Sequence, residues 1–204
     1  RGLSPLKEIP LNLPKIEVSH PDSSARGEDG FMPYARDENE ARPWAIPGTT
    51  GLEHRIGGLE KENITGMVSQ DPENHQLMTD IRARKVENIT QEIPPSETHG
   101  DPKGNLLVLG WGSTHGAIHV AVDRALAKGR SVSQMHLRWV SPFPSDLKAI
   151  CDEFDEILIP EVNSGQLALL LKGELAREIH QLNIVRGEPF RASEIEDKIN
   201  EILG

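Results

Sequence analysis

The chain has 204 residues, of which 36 % are hydrophobic and 4 % aromatic, and a formal net charge of −10. Such a charge argues against a nucleic-acid backbone or an anionic membrane surface as the main partner. The apolar share is low for one compact core of this length, so part of the chain is expected to lean on other surfaces.

No apolar run approaches the length that crosses a bilayer; Leu106-Leu107-Val108-Leu109 is among the longest. The opening Arg1-Gly2-Leu3-Ser4-Pro5 lacks the apolar stretch of a signal peptide, and a start on Arg suggests a fragment of a longer protein. The single Cys151 rules out an internal disulfide, which suits the cytoplasm. It also cannot supply the four thiolates of an ordinary iron–sulfur cluster.

In chain order, residues 1–50 read as an irregular, Pro-rich arm. Seven of the 15 prolines fall there, and each removes a backbone donor and fixes φ. Leu11, Leu13, Ile16 and Val18 suit a short extended piece laid along another surface. Residues 51–104 read as a glycine-rich loop, a long helix and a linker. Asp71 caps that helix, Pro72 takes its first position, and Glu73 suits the positive end of its dipole. The helix is expected over about 72–90, with Pro94-Pro95 stopping it and 96–104 as linker.

Residues 105–204 alternate strand and helix. Strands are expected at Asn105–Trp111, Ser131–Leu137, Glu156–Pro160 and near Ile184-Val185. Helices are expected from Thr114 to about Lys128, from Ser145 to Phe154, through Leu167–Ile179, and over Ile195–Leu203. Ile157-Leu158-Ile159 is apolar throughout, as in strands buried on both faces of a parallel sheet. The fold class is therefore α/β: a three-layer, doubly wound, mostly parallel sheet, preceded by an irregular arm and a long helix.

Four groups of residues could carry chemistry. Gly110-Trp111-Gly112-Ser113-Thr114-His115-Gly116 lies between strand and helix, where a dinucleotide loop would lie. Its last two glycines are one residue too far apart for that fingerprint, and the second strand ends on Arg138 rather than an acid. Gly112, Ser113 and Thr114 remain candidates for an anion at a helix N-terminus, or simply for a capped helix. His115 and His119 stand four apart, as two imidazoles sharing a metal would, but with no third ligand evident nearby; they read as a helix-surface pair. Glu53, His54, Arg55 and His75 sit in or after the glycine-rich loop, where function or plain exposure both fit. Glu161, Asn163, Gly165 and Gln166 follow the third strand of the α/β region at the carboxyl edge of the sheet. Open α/β domains place ligands there, and Asn163 or Ser164 could equally cap the next helix.

Together these motifs are more specific than singly. Gly51-Leu52-Glu53-His54, Asp71-Pro72-Glu73-Asn74-His75 and Arg82-Ala83-Arg84-Lys85-Val86 come first. Gly110 to Gly116, Leu137-Arg138-Trp139-Val140-Ser141-Pro142-Phe143-Pro144, Ile159 to Leu167 and Arg186-Gly187-Glu188-Pro189-Phe190 follow in order. The series resembles the C-terminal part of the alpha subunit of 2-oxoacid:ferredoxin oxidoreductases, particularly the 2-oxoglutarate type. It covers about Pro43 to the end and extends weakly to Gly2-Leu3-Ser4-Pro5.

The resemblance implies a part of a larger assembly. Enzymes of this family decarboxylate a 2-oxoacid on thiamine diphosphate with Mg, pass electrons through iron–sulfur clusters to ferredoxin, and transfer the acyl group to coenzyme A. Residues 105–204 would be their second alpha domain, similar to the C-terminal domain of transketolases. The arm would be the tail of a thiamine-pyrimidine-binding domain. The pyrophosphate-binding Gly-Asp-Gly belongs to the partner beta subunit, and Glu28-Asp29-Gly30 does not match it. No catalytic residue and no bound cofactor is therefore expected here. Partners would be the beta subunit, the rest of the alpha subunit and, for the complex, ferredoxin. Glu53, His54, Arg55, His75, Glu161, Asn163, Gly165 and Gln166 are the candidates for facing a partner or the active-site cleft. The alternative is a free-standing nucleotide- or anion-binding α/β domain.

Overall fold

The computed structural model describes residues 18–204. The expected extended piece at Leu11, Leu13 and Ile16 and the Gly2–Pro5 motif lie outside the described residues. The chain divides into two compact units, with the boundary after Lys85.

In the first unit, helix α1 (Pro72–Asn88) ends two residues short of expectation, where a 3₁₀ turn, Ile89–Glu92, takes over. Asp71 caps it as its side chain predicts, with Oδ1 accepting from the Glu73 amide at 3.1 Å. Leu52, Met78 and Ile81, with Pro33, are the unit's buried apolar side chains among the described residues. Polar contacts supply the rest. The Asn74 side chain donates to the Lys61 carbonyl at 2.9 Å and accepts from the Asn63 amide at 2.9 Å. The Arg36 guanidinium donates to the Tyr34 carbonyl and to Asn63 Oδ1.

The second unit is a five-stranded sheet in the order β1-β3-β2-β4-β5. Its strands are β1 (Thr98–His99), β2 (Gly104–Trp111), β3 (Val132–Leu137), β4 (Phe154–Glu161) and β5 (His180–Asn183). All neighbours pair parallel except β1, which runs antiparallel along the β3 edge. Helices α2 (His115–Ala127), α3 (Leu147–Asp152), α4 (Gln166–Leu175) and α5 (Ala192–Leu203) connect and follow the strands.

The period-two alternation of strands sorts the core into two layers. Leu107, Leu109, Met135, Leu137, Ile157 and Ile159 pack on α3 and α4 through Leu147, Cys151, Leu167 and Leu171. Leu106, Val108, Val132 and Leu158 face the opposite way, onto Ile118, Ala121 and Val122 of α2 and Ile195 and Ile199 of α5. A sheet covered on both faces is the three-layer architecture that the apolar central strands require. None of the described helices is long and apolar enough to cross a membrane.

Several expected boundaries move. The helix expected to reach Ile179 ends at Leu175, because Ala176 turns left-handed (φ 50°). The Arg177 guanidinium then donates to the carbonyls of Cys151, Phe154 and Asp155, turning the chain toward the sheet. As a result the last strand is His180–Asn183 rather than Ile184-Val185. The segment 145–154 gives only six helical residues, since Phe154 is already drawn into β4 opposite Gly104. The expected linker at 96–104 holds the edge strand β1, too short and polar to signal itself.

Candidate functional site

Strand order reverses at β2. The chain leaves it through α2 to β3 on one side, then crosses through α3 to β4 on the other. Open α/β sheets bind ligands outside the carboxyl ends of strands at such a switch point. Here those ends are Trp111 and Glu161, and they close on each other: the indole Nε1 donates to Glu161 Oε1 at 3.2 Å.

Glu161 is fully buried. Its Oε1 also accepts from the Asn163 side chain at 3.0 Å and the Leu167 amide at 3.0 Å, and Oε2 accepts from the Ala168 amide at 3.1 Å. A buried carboxylate is tolerable only with such partners, and the free amides of the first turn of α4 are ideal ones. Asn163 Oδ1 accepts from the amides of Gly165 at 2.7 Å and Gln166 at 3.0 Å. Gly165 is left-handed (φ 92°), and a Cβ there would meet the Gln181 and Asn183 side chains. Four of the sequence candidates, Glu161, Asn163, Gly165 and Gln166, are thus brought together as a double cap on α4. Val162, Ser164 and Gln166 of this loop are exposed.

Gly112, Ser113 and Thr114 form a 3₁₀ turn directly after Trp111, so the Trp111–Glu161 bond places the two candidate loops side by side. The Thr114 hydroxyl is buried and spent on its own turn, donating to the Trp111 carbonyl at 2.8 Å and accepting from its amide at 3.2 Å. Gly110 lies so close to the helix that a Cβ would strike Ile118 Cδ1 and Thr114 Oγ1. Gly110 thus serves strand–helix packing, Gly112 is left-handed (φ 56°) with open space beside it, and only Ser113 keeps its hydroxyl exposed.

In the first unit, Glu53, His54 and Arg55 are exposed beside the buried Leu52. Glu53 Oε2 accepts from the Gly51 amide at 2.9 Å, and His54 Nδ1 donates to the Leu52 carbonyl at 2.8 Å. His75 pairs instead with Glu60 at 2.6 Å, and Arg82 joins them at 3.3 Å. The Arg82 guanidinium and then His75 hold the Glu60 carboxyl down to about 2.

One cleft with converging polar groups was only half indicated by sequence spacing. A cleft of about 520 Å³ opens between the carboxyl end of β3, the start of α2 and the segment 94–99, and its lining includes His99, His115, His119, His136 and Arg138. His119 Nδ1 lies 3.1 Å from Gln134 Oε1, His99 Nε2 lies 2.7 Å from Asp123 Oδ1, and His119 Nε2 lies 3.7 Å from Asp123 Oδ2. His115 and His119 stack at 5.7 Å as a helix-surface pair, but His119 finds its nearer ring partner in His99, at 4.3 Å. Burial, then the nearby His115 and Arg138, holds the His136 imidazole below its usual value. Its Nδ1 is buried without a hydrogen-bond partner. Asp123 is a third donor that the sequence reading missed, although its i+4 spacing from His119 could have signalled it. His99 was not legible, because the edge pairing of β1 brings it in from 20 residues upstream of His119.

Residues 104–196 match the family description "Pyruvate:ferredoxin oxidoreductase core domain II". The chain is 41 % identical, over 91 % of its length, to 2-oxoglutarate oxidoreductase subunit KorA of Mycobacterium tuberculosis, and covers 29 % of that protein. The fold superposes with a TM-score of 0.79, at 28 % identity, on a 2-oxoglutarate:ferredoxin oxidoreductase from Magnetococcus marinus solved with 2-oxoglutarate, coenzyme A and succinyl-CoA bound. The α/β unit matches this family's domain II, and the chain is similar to alpha subunits of 2-oxoacid:ferredoxin oxidoreductases. The likeness extends to 2-oxoacid:ferredoxin oxidoreductase 2, subunit alpha, of Aeropyrum pernix, 27 % identical over 98 % of this chain and 30 % of the relative. The chain thus spans under a third of the length of these relatives, and the α/β unit carries the domain II match.

Neither Glu28-Asp29-Gly30 nor Cys151 fits as a thiamine diphosphate or iron–sulfur ligand. Glu28-Asp29-Gly30 is a surface turn closed by the Gly30 amide on the Gly27 carbonyl at 3.1 Å, without the first glycine of a thiamine diphosphate pyrophosphate motif. Cys151 is buried, and that burial pushes its thiol up to about 11, the reverse of what a cluster ligand needs.

Proposed function

We propose that this chain is a structural and interface portion of the alpha subunit of a thiamine-diphosphate-dependent 2-oxoacid:ferredoxin oxidoreductase, with 2-oxoglutarate as the 2-oxoacid. The complex oxidatively decarboxylates its substrate in the cytoplasm and yields the acyl-CoA and reduced ferredoxin. Thiamine diphosphate with Mg, the iron–sulfur cluster and coenzyme A are held by the partner beta subunit and the rest of the alpha subunit. The observation that carries this reading is the 41 % identity to a 2-oxoglutarate oxidoreductase subunit across 91 % of the chain.

The residues support an architectural role. The acid at the switch point, Glu161, has its acceptor oxygens taken up by helix capping, so it is not a free general base. Apolar side chains meanwhile face outward: Leu169 is 73 % and Leu170 57 % exposed on α4, and Val185 is 76 % exposed after β5. Adjacent large exposed aliphatics on a well-packed helix suit burial against another subunit surface. The loop Glu53–Arg55 and the exposed tips of the 161–166 loop, Val162, Ser164 and Gln166, are read as partner- or cleft-facing, with Glu161, Asn163 and Gly165 holding that second loop in shape.

The test is made on the complete alpha subunit co-expressed with its thiamine-binding partner. Coenzyme A-dependent reduction of ferredoxin or a viologen dye should be faster with 2-oxoglutarate than with pyruvate. Replacing Leu169 and Leu170 together by Asp should lower the yield of assembled complex while leaving the alpha subunit folded. A subunit that takes no partner, shows no 2-oxoacid-dependent reduction and is stabilised thermally by adenine nucleotides would favour the free-standing anion-binding domain instead.

A further inference from the structure

We propose that His99, His119 and Asp123 form a binding site for a divalent transition-metal ion, a clip joining the edge strand β1 to helix α2. The inference stands on side-chain geometry and is independent of the oxidoreductase reading.

The ligand atoms of the three residues all lie within 4.8 Å of one another. The His99 Nε2 to Asp123 Oδ1 distance is 2.7 Å, and the His119 Nε2 to Asp123 Oδ2 distance is 3.7 Å. Zinc bonds of 2.0–2.1 Å at a tetrahedral ion put neighbouring donors about 3.3 Å apart. The two carboxylate–imidazole separations bracket that value, and the remaining imidazole–imidazole separation lies within 4.8 Å, so side-chain rotation is what closes the set on an ion. All three residues stay at least partly exposed on the described surface, which leaves an entry path and room for a water at a fourth position.

Hydrogen bonding fixes which nitrogen of His119 faces the site. Gln134 is 3 % exposed, and its Nε2 donates to the His115 carbonyl at 3.3 Å, which orients the amide. Its Oε1 therefore accepts from His119 Nδ1 at 3.1 Å. That turns His119 Nε2 toward the Asp123 carboxylate, an arrangement completed by a positive charge between them, a proton or a metal ion. A metal ion supplies it, and a buried amide orienting a ligating imidazole through its other nitrogen is the usual supporting device of metal sites. Two imidazoles and one carboxylate select a zinc-like ion over calcium or magnesium. On binding, the ion takes the place of the proton that His99 Nε2 shares with Asp123.

The placement gives the ion a structural task. β1 has only two residues and sits on the exposed edge of the sheet. A clip from His99 to Asp123 closes a segment of 24 residues and pins that edge to α2.

The experiment uses the complete protein in its complex, stripped with a chelator, freed of it, and titrated with Zn²⁺ against a chromophoric competitor. Wild type should bind one zinc more per chain than either His119→Ala or Asp123→Asn. His180→Gln removes a His–carboxylate pair, 2.9 Å from Glu156, that belongs to no three-donor cluster among the described residues, and it should bind as wild type does. Gln134→Leu should keep the stoichiometry and weaken affinity roughly 10–100-fold, the range for losing a supporting hydrogen bond. Zinc absorption spectra of the loaded protein should show imidazole and oxygen ligands that the His119→Ala protein lacks. Equal zinc uptake by wild type, His119→Ala and Asp123→Asn would overturn the proposal, leaving a protonated histidine beside Asp123.

Discussion

The two units of this chain solve the same problem by different means. In the unit after Lys85, buried aliphatic side chains fill both faces of a sheet, and polar side chains such as Glu161 and Arg177 act at the strand ends. In the unit before it, Leu52, Met78 and Ile81 are joined by Asn74, Lys61 and Arg36, which tie loops by hydrogen bonds to backbone carbonyls and to one another. Apolar burial is non-directional and tolerates boundary shifts, whereas a buried amide needs each partner in place. The lesson is that the first unit depends on a few specific side chains and the second on the summed volume of many.

The largest effect should come from the second unit's core. Leu171→Ala, at a fully buried position, should destabilise the α/β unit by about 2–5 kcal/mol in urea or thermal unfolding. Glu161→Ala should follow, at roughly 1–3 kcal/mol, since it strands the Trp111 indole and two buried amides at the start of α4. Its signature is a change in Trp111 fluorescence with the other cap, Asn163, still present. In the first unit, Asn74→Ala should cost about 1–2 kcal/mol, because it leaves the Asn63 amide and the Lys61 carbonyl unpaired; hydrogen exchange at Asn63 should speed up. A cost below a few tenths of a kcal/mol would break the contrast drawn between the units.

The smallest effect concerns acid. The Glu60 carboxyl is held at about 2 by Arg82 and His75, down from the ordinary 4.5. A depressed carboxyl contributes stability that is fully present above its unfolded value and lost as pH falls through its folded value. Wild type and Glu60→Gln should therefore differ most above pH 4.5 and converge toward pH 2, by a modest amount because the pair is solvent-accessible. In the second unit, Cys151 should resist alkylation at neutral pH until the protein unfolds, since it is fully buried and its thiol is raised to about 11.

Much of the α/β unit was legible because its signals are local. The run Leu106 to Leu109 and the centre of β4, Ile157-Leu158-Ile159, read as strands buried on both faces, and the spacing of Ile118, Ala121, Val122 and Ala125 read as a helix face. The end of α4 was not legible. Leu175 and Ile179 keep helical spacing, and both are buried, yet the chain turns at Ala176, and Arg177 then bonds three carbonyls at the α3–β4 junction. The capping of α4 by Asn163 was one of two readings open in the sequence. That Glu161 shares the task required β2 to lie beside β4, so that Trp111 could reach across.

By itself, the amino-acid sequence determined the fold class, the position of each parallel strand to within a few residues, the cap at Asp71, and a family resemblance carried by seven ordered motifs. These rest on periodicity, turn chemistry and motif order, which adjacent residues express without help. Only the tertiary structure decided that the antiparallel edge β1 carries His99 to His119 and Asp123, and that the switch-point acid is consumed in holding a helix. Both depend on which strand lies next to which, and the hydrophobic burial that selects the strand order acts through space between residues far apart in the chain.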